Sequence, residues 1–424
     1  MKLPSAHKIT FSHSMIVAMT KVLLVLPSSS YRSSEFVLAS QRLNLDITLL
    51  TDADTPSILP LDKVIHLPEL RLEPGVMTHI EGQMFDAVVG VDDISVRIAA
   101  QISTHLGLPT NPDESLLATT DKVAFRKNQT QFELPQPKYA TISKDERDPQ
   151  RLMDVAMQVS GFPLVIKPIS GTQSKGVIRV DHLKDLLQAL EVASQTTTED
   201  ELLLEEYVEG AEYALEGVLV DSKLVVLAIF DKPEPLRGPF FEESIYITPS
   251  KLPHQLQREA ERVVQRSCES LGLWTGPVHA EFRIKDSGRL YILEVAARSI
   301  GGSCAKALRF GSDTTLEELL LTHASSIESD STRVIRQRKT YSGVLMLPTP
   351  KTGVLRSVSG LEQVRALKYV TSLELTVPVG TFVKAPPLTE RYMGFVFADS
   401  PGYDSTIETL KRSRELLSFE ISDR

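Results

Sequence analysis

Cysteine is almost absent from this chain of 424 residues, with Cys268 and Cys304 its only two. Far apart in sequence, they imply neither a disulfide framework nor a zinc cluster. No stretch reaches the ~18 consecutive apolar residues of a membrane span. Positive charge is in deficit as well. The 46 Lys and Arg against 55 Asp and Glu leave a net charge of −9, which argues against a nucleic-acid groove or an anionic membrane surface as the main partner. There is no internal repeat and no low-complexity block. What is present, 42% apolar and 24% charged residues, is the balance of a folded globular chain, and the length calls for two to four domains. Residues 1–20 join Lys2 and Lys8 to a short apolar run, Met15–Met19. The run is too short for a signal peptide and no cleavage site follows. These residues are read as a loosely ordered extension, or an overlong start, and the protein is expected in the cytoplasm.

The pattern along the chain is α/β first and α+β later. Lys21–Leu26, Asp46–Leu50 and Ala87–Gly90 read as strands, and Ser95–Leu106 has helical spacing at Val96, Ile98, Ala99, Ile102 and Leu106. Strands alternating with helices imply a doubly wound parallel domain over residues 21–118. A helix holding Asp121 and Lys122 leads into a second domain, 119–325, with a strand-rich lobe at about 138–215. Residues 230–249 hold three prolines before Phe240-Phe241 and read as a loop in their middle, either a cover for substrate or a passive insertion. Leu256, Ala260, Val263, Val264 and Cys268 share one helix face, which makes Cys268 buried filler. A linker is expected at 326–340, and an α+β domain over 341–424 with a last helix near Ser405–Leu417.

Two glutamates carry the most chemistry. Val278–Ile284 and Arg289–Arg298 are period-2 runs flanking Lys285-Asp286-Ser287-Gly288, the pattern of an antiparallel hairpin. With a four-residue turn, Ile284 faces Arg289 and Phe282 faces Tyr291. Val278, Ala280, Phe282, Ile284, Tyr291, Leu293 and Val295 then form one apolar face. His279, Glu281, Glu294, Ala296 and Arg298 form the other, with His279 opposite Glu294 and with Glu281 and Glu294 as diagonal neighbours. Two close carboxylates on a rigid hairpin suit a hard cation such as Mg²⁺; the same pattern also describes a solvated strand face.

Upstream, the strand Leu164-Val165-Ile166-Lys167 runs into Ile169-Ser170-Gly171-Thr172-Gln173-Ser174-Lys175-Gly176. Backbone N–H groups and hydroxyls in such a loop can cradle phosphate beside a fixed cation, Lys167, although the glycines alone equally describe a mobile turn. It is not a Walker A loop, because no Lys-Ser/Thr follows the second glycine. A third segment, Leu202–Glu206 then Tyr207-Val208-Glu209-Gly210-Ala211-Glu212, joins two strands through a short hinge. Its backbone could meet a purine edge and Glu212 a ribose, or it is an acidic turn.

The order of these parts resembles the ATP-grasp superfamily of carboxylate–amine ligases over about residues 21 to 325. The resemblance implies the ATP-grasp fold, with Lys122 and Lys167 on the ATP phosphates and Ser170, Gly171, Ser174 and Gly176 in the covering loop. It implies Glu205, Glu206, Tyr207 and Val208 at the adenine, Glu212 at the ribose, and Glu281 and Glu294 on Mg²⁺, or Mn²⁺ in its place. Arg298 would meet the transferring phosphate or the acyl phosphate. Many members have Glu-x-Asn where this chain has Glu294-Val295-Ala296; Ala cannot ligate, so a second ion would be held less fully or by water. Glu-x-Ala-Ala-Arg with Gly301-Gly302 is similar to the L-amino acid ligase branch, as are Phe230-Asp231-Lys232-Pro233, Phe241-Glu242-Glu243 and the tail segments Val344–Leu355 and Tyr392–Ala398.

That resemblance implies an enzyme that activates a carboxylate with ATP and Mg²⁺ and passes it to an amine, releasing ADP and phosphate, with amino acids as substrates and a dipeptide or aminoacyl amide as product. A carboxylate is a poor acceptor because its leaving group would be oxide; an acyl phosphate leaves phosphate instead. Phosphoryl transfer asks mainly for positioning and charge neutralisation, and Arg298 could bind the acyl phosphate. His279 would orient a carboxylate, relay a proton or be a structural histidine. No base for the amine is visible, and Cys304, beside Gly301-Gly302-Ser303, lacks the partnered His of a nucleophile. The alternatives are a ligase of a nucleotide-precursor pair and a nucleotide-binding protein without catalysis. A homodimer is compatible with the sequence but not required by it.

Overall fold

The computed structural model describes residues 19–53, 63–68, 70, 74–311, 313–326, 340–389 and 391–423. The expected extension, but for Met19 and Thr20, lies outside the described residues, as does the expected linker between Ser326 and Thr340.

The chain opens with β1 (Lys21–Val25), α1 (Ser33–Arg42), β2 (Asp46–Thr51), β3 (Val64–His66), α2 (Pro74–Ile80), β4 (Ala87–Gly90) and α3 (Asp93–Leu106). The strands lie in the order β3-β2-β1-β4, every pair parallel. In β1, Val22 and Leu24 pack with Phe36 and Val37 of α1, while Leu23 and Val25 pack with Ile98 and Ile102 of α3. Coverage on both faces is why β1 reads as an unbroken apolar run. Helix α3 starts two residues earlier than its apolar spacing predicts. Asp92 accepts from the Ser95 N–H at 2.9 Å and Ser95 Oγ accepts from the Asp92 N–H, a reciprocal cap that draws Asp93 into the first turn.

Helices α4 (Asp113–Thr120) and α5 (Lys122–Gln131) follow, with Asp121 capping α5. A lobe comes next: β5 (Tyr139–Ser143), α6 (Pro149–Gln158), β6 (Leu164–Pro168), β7 (Ile178–Val180), α7 (Leu183–Ser194) and β8 (Glu201–Glu206), with sheet order β5-β8-β6-β7. Its own core includes Leu152, Ile166, Leu190 and Leu204.

The largest sheet is built from β9 (Ala211–Val220), β10 (Lys223–Asp231) and β11 (Ile245–Thr248), then, after α8 (His254–Leu271), from β12 (Gly276–Ile284) and β13 (Leu290–Ala296). The apolar stripe of α8, including Ala260, Val264 and Cys268, packs on Val278, Ala280 and Phe282 of β12. Beyond a short turn of 3₁₀ helix (Cys304–Ala307) and α9 (Leu316–Ala324) come β14 (Tyr341–Leu347), β15 (Gly353–Ser359), α10 (Leu361–Arg365), β16 (Val370–Leu375), β17 (Phe382–Val383), β18 (Gly394–Ser400), α11 (Tyr403–Leu416) and β19 (Ser418–Ser422). The tail strands continue the central sheet, which runs β13-β12-β9-β10-β11-β14-β18-β16 through the pairing of Ile245 with Leu345 and Thr248 with Ser342. A three-stranded sheet, β17-β15-β19, lies beside it. The fold is thus parallel α/β at the front and antiparallel α+β behind. Among the described residues no helix is long and apolar enough to cross a membrane.

Candidate active site

The N-terminal sheet, the sheet of the lobe and the central sheet meet around a cleft of about 620 Å³. Lys122, Lys167, Ser170, Gly171, Ser174, Glu205, Glu206, Tyr207, Val208, Glu212, Glu281, Glu294 and Arg298 all line it. Gly176 is the one sequence candidate that is not in the wall. Its N–H donates to the Pro387 carbonyl at 2.9 Å, and it shapes the loop from behind. Within that loop, Gln173 and Ser174 hold left-handed backbone at φ 58° and 52°, and Lys122 Nζ donates to the Gly171 carbonyl at 2.8 Å. Ser170 Oγ donates to Glu199 at 2.7 Å.

Lys167 leaves β6 beside Glu205 of β8, because Val165 pairs with Glu205 and Lys167 with Leu203. Its Nζ lies 2.7 Å from Glu205 Oε2, and Arg126 Nε donates to Glu205 Oε1 at 2.6 Å. Burial would raise the Glu205 carboxyl, but Arg126 and Lys167 override it and hold it down at about 2. Burial pulls the Lys167 ammonium below its ordinary value, with Glu205 opposing. Glu205 is therefore turned to two cations, so its side chain serves Lys167 more directly than it serves the hinge. Arg126 is missing from the sequence reading; its position in an amphipathic helix gave no signal. At the hinge, Tyr207 stacks with Phe241 at a centroid distance of 6.3 Å, under the Arg283 guanidinium at 5.1 Å.

The hairpin corrects the expected register. Its loop spans Lys285–Arg289, five residues closed by the Lys285 N–H to the Arg289 carbonyl (3.0 Å), so Ile284 pairs with Leu290 and Phe282 with Ile292. A slip of one residue exchanges the faces of a strand. Leu290 and Ile292 consequently share the core with Phe282, in place of the expected Tyr291 and Leu293, while Val295, beyond the slip, is in the core as expected. A bulge at Leu293 then adds a second shift of one residue, which restores the faces but not the expected register: Glu281 pairs directly with Glu294, not diagonally, and His279 with Ala296 in place of Glu294. Arg126 secures the bulge by donating to the Ile292 and Leu293 carbonyls at 3.2 and 2.8 Å.

Around Glu281 sits a cluster whose members the sequence reading named separately, Glu212 and Glu281 as site residues and Lys232 and Glu243 in the segments similar to the ligase branch. Lys232 Nζ lies 2.6 Å from Glu212, 2.8 Å from Glu243 and 3.0 Å from Glu281. The three carboxylates are within 4.8 Å of one another, a spacing that could hold a metal, and the Lys232 ammonium stands among them. Burial would lower Lys232, yet the three acids keep it well above its usual value. Burial raises Glu243 to about 7, with Lys232 opposing, and its Oε2 is buried with no hydrogen-bond partner. Glu212, the expected ribose acceptor, also receives Arg283 Nε at 2.7 Å, its cross-strand neighbour.

His279 pairs with Glu216 of β9, and its Nδ1 bonds that carboxylate while Nε2 stands 3.5 Å from Glu281. Burial would lower the imidazole, but Glu216 and Glu281 lift it to about 9. Arg298 lies just past β13, with Nε donating to both Asp93 oxygens at 3.0 Å and NH2 3.8 Å from Glu294. Cys304 is buried with Sγ 3.7 Å from the Met346 sulfur, and burial pushes its thiol up. Such a thiol is a poor nucleophile.

This geometry meets the comparisons with known proteins. Residues 160–307 match the ATP-grasp domain, and residues 345–422 match the L-amino acid ligase C-terminal domain 2. The chain carries an ATP-grasp domain followed by an L-amino acid ligase C-terminal domain. It is similar to alanine–anticapsin ligase of Bacillus subtilis, 23% identical over 75% of this chain and 67% of that one. It is also similar to the L-arginine-specific L-amino acid ligase of Bacillus subtilis, 21% identical over 70% of this chain and 71% of that one. The L-amino acid ligase structure from Bacillus licheniformis shares the fold with a TM-score of 0.79, at 22% identity, over 95% of this chain and 99% of that one. The ATP-grasp motifs and the tail domain were thus both readable from the sequence.

Proposed function

We propose that this ATP-grasp ligase phosphorylates an amino acid carboxylate with ATP and joins the resulting acyl phosphate to an amine, releasing ADP, phosphate and an amide, either a dipeptide or an aminoacyl amide. The observation that carries the reading is the convergence of Lys167, the Glu281–Glu294 pair and Arg298 on one cleft.

Each residue has a role in this reading. Lys122 and Lys167 hold the ATP phosphates under the loop of Ser170, Gly171 and Ser174. Glu206, Tyr207 and Val208 border the adenine, and Glu212 meets the ribose through lone pairs left beside Lys232 and Arg283. The Mg²⁺ fit rests on the donor set. Glu281 and Glu294 are paired hard-oxygen ligands, Glu294 is a third exposed, and it faces Arg298 at 3.8 Å. Those two would hold the ion, which would neutralise phosphate charge. Ala296, buried opposite His279, offers no ligand. Arg298 balances the charge that grows on the acyl carbon's oxygen or the leaving phosphate as the amine adds.

The test is product analysis with ATP and Mg²⁺ across single and paired L-amino acids. Amino-acid-dependent ADP and phosphate with a new amide mass are expected. AMP and pyrophosphate would point to adenylation and overturn the acyl-phosphate route.

A further inference from the structure

We propose that Asp93 is a positioning residue for Arg298, so that a carboxylate of the N-terminal sheet region aims the guanidinium of the ligase centre. The proposal rests on the ligase reading above and extends it to a residue 205 positions away in sequence.

The guanidinium is held on two of its three nitrogens. Nε donates to Asp93 Oδ1 and Oδ2 at 3.0 Å, and NH1 donates back to the Ser299 carbonyl at 3.1 Å. NH2 is left facing Glu294 at 3.8 Å, in the wall of the cleft. An arginine carries several rotatable bonds, and a charge that must meet a reacting group gains from having them fixed beforehand. Asp93 is suited to the task because its own position is fixed. It is the first residue of α3, enclosed by the Asp92–Ser95 reciprocal cap, where a negative charge is favoured by the helix dipole.

The backbone that carries Arg298 is gripped separately. Arg32 bonds Ser299 Oγ, the Ile300 carbonyl at 3.3 Å and Glu317 at 2.6 Å, while Glu216 accepts from the Ile300 N–H at 2.9 Å. These contacts keep the arch in place without touching the guanidinium. Asp93 is therefore the group whose removal frees the charge and leaves the arch intact. That separation makes its role testable apart from folding.

The experiment compares the unaltered protein with Asp93→Asn and Asp93→Glu, measuring kcat, the KM for ATP, the ADP-to-amide ratio and the thermal midpoint. For Asp93→Asn, kcat for amide is expected to fall by about 10–100-fold, the scale of a misplaced catalytic group. The KM for ATP and the midpoint should stay near the unaltered values, ADP should exceed amide as acyl phosphate is lost to water, and Asp93→Glu should recover part of the rate. An unchanged kcat, or a kcat that falls only in step with the midpoint in both variants, overturns the proposal. A second measurement uses Arg298→Lys: adding Asp93→Asn to it should cost little further rate, and a full additive loss also overturns the proposal. If the unaltered protein makes no amide from any pair, the ligase reading fails first, and this proposal falls with it.

Discussion

Glu281 and Glu294 stand directly across from one another on β12 and β13, and a single extra residue, Leu293, puts them there. Without the bulge the slip seen at Phe282 and Ile292 would continue, and Glu294 would leave the face that Glu281 occupies. Glu294→Ala is expected to reduce turnover by at least about 100-fold, the order seen when a charge-stabilising group is removed. Binding of nucleotide without Mg²⁺ should change little, and chelation of Mg²⁺ should abolish turnover in the unaltered protein. Isothermal titration with ADP, with and without Mg²⁺, checks the first, and an assay in excess EDTA the second. Turnover that survives both would remove the pair from the metal role.

Glu205 joins Arg126 and Lys167 at 2.6 and 2.7 Å in a buried triad at the wall of the cleft. Glu205→Gln leaves two buried cations without their anion, which costs about 3–5 kcal/mol when one partner of a buried pair is removed. The pH dependence has a definite sign. The folded carboxyl lies at about 2, below its ordinary 4.5. Its contribution is present above pH 4.5 and is lost as pH falls toward 2. Urea unfolding at pH 7 and pH 3 should show the gap between unaltered protein and variant shrinking at the lower pH.

Much of this was legible in the sequence, for physical reasons that differ by element. Strand β1 is apolar on both faces because helices cover both, and α8 shows its stripe because one face meets β12. The hairpin was visible from its alternation. Its register was not, because the bulge depends on Arg126 and on the Pro135 carbonyl, which accepts from Ile292 at 2.8 Å, and neither is near in sequence. The acidic cluster around Lys232 was hidden for a similar reason. Glu212, Glu243 and Glu281 come together only once β9 lies between β10 and β12. Asp93 was overlooked because the helix was expected to start at Ser95, two residues after it.

His279 gives a second prediction from pH, opposite in sign. Its imidazole is lifted from the ordinary 6.5 to about 9 by Glu216 and Glu281 against the effect of burial. A raised base contributes stability that is complete below pH 6.5 and disappears as pH rises through 9. His279→Gln should therefore be less stable than the unaltered protein by about 1–3 kcal/mol at pH 6, the scale of a charge-assisted hydrogen bond. Thermal midpoints at pH 6 and pH 9.5 should show that gap closing at the higher value. A constant gap would mean that the imidazole does not change its charge between these pH values.

Gly176 offers a test of the loop that does not touch the cleft wall. Its backbone is left-handed at φ +74°, and a Cβ there would lie 2.2 Å from Thr196 Oγ1 and 3.1 Å from Pro168. Either feature alone disfavours a side chain, so Gly176→Ala should cost about 1–3 kcal/mol of local strain. The left-handed backbone strain is not relieved by moving Thr196, and a shift of the loop to relieve it displaces Ser174 and Gly171, the groups proposed to cradle phosphate. The KM for ATP should therefore rise while the KM for the amino acid stays unchanged. Thr196→Ala removes the closest clash but also the bond that Oγ1 donates to Ala193 at 2.7 Å. On its own it should weaken stability slightly; combined with Gly176→Ala it should restore part of the ATP affinity, so the two effects add to less than their sum. Steady-state kinetics of the two single variants and the double variant decide the point. A KM for ATP that is unmoved by Gly176→Ala would place the phosphates elsewhere in the cleft.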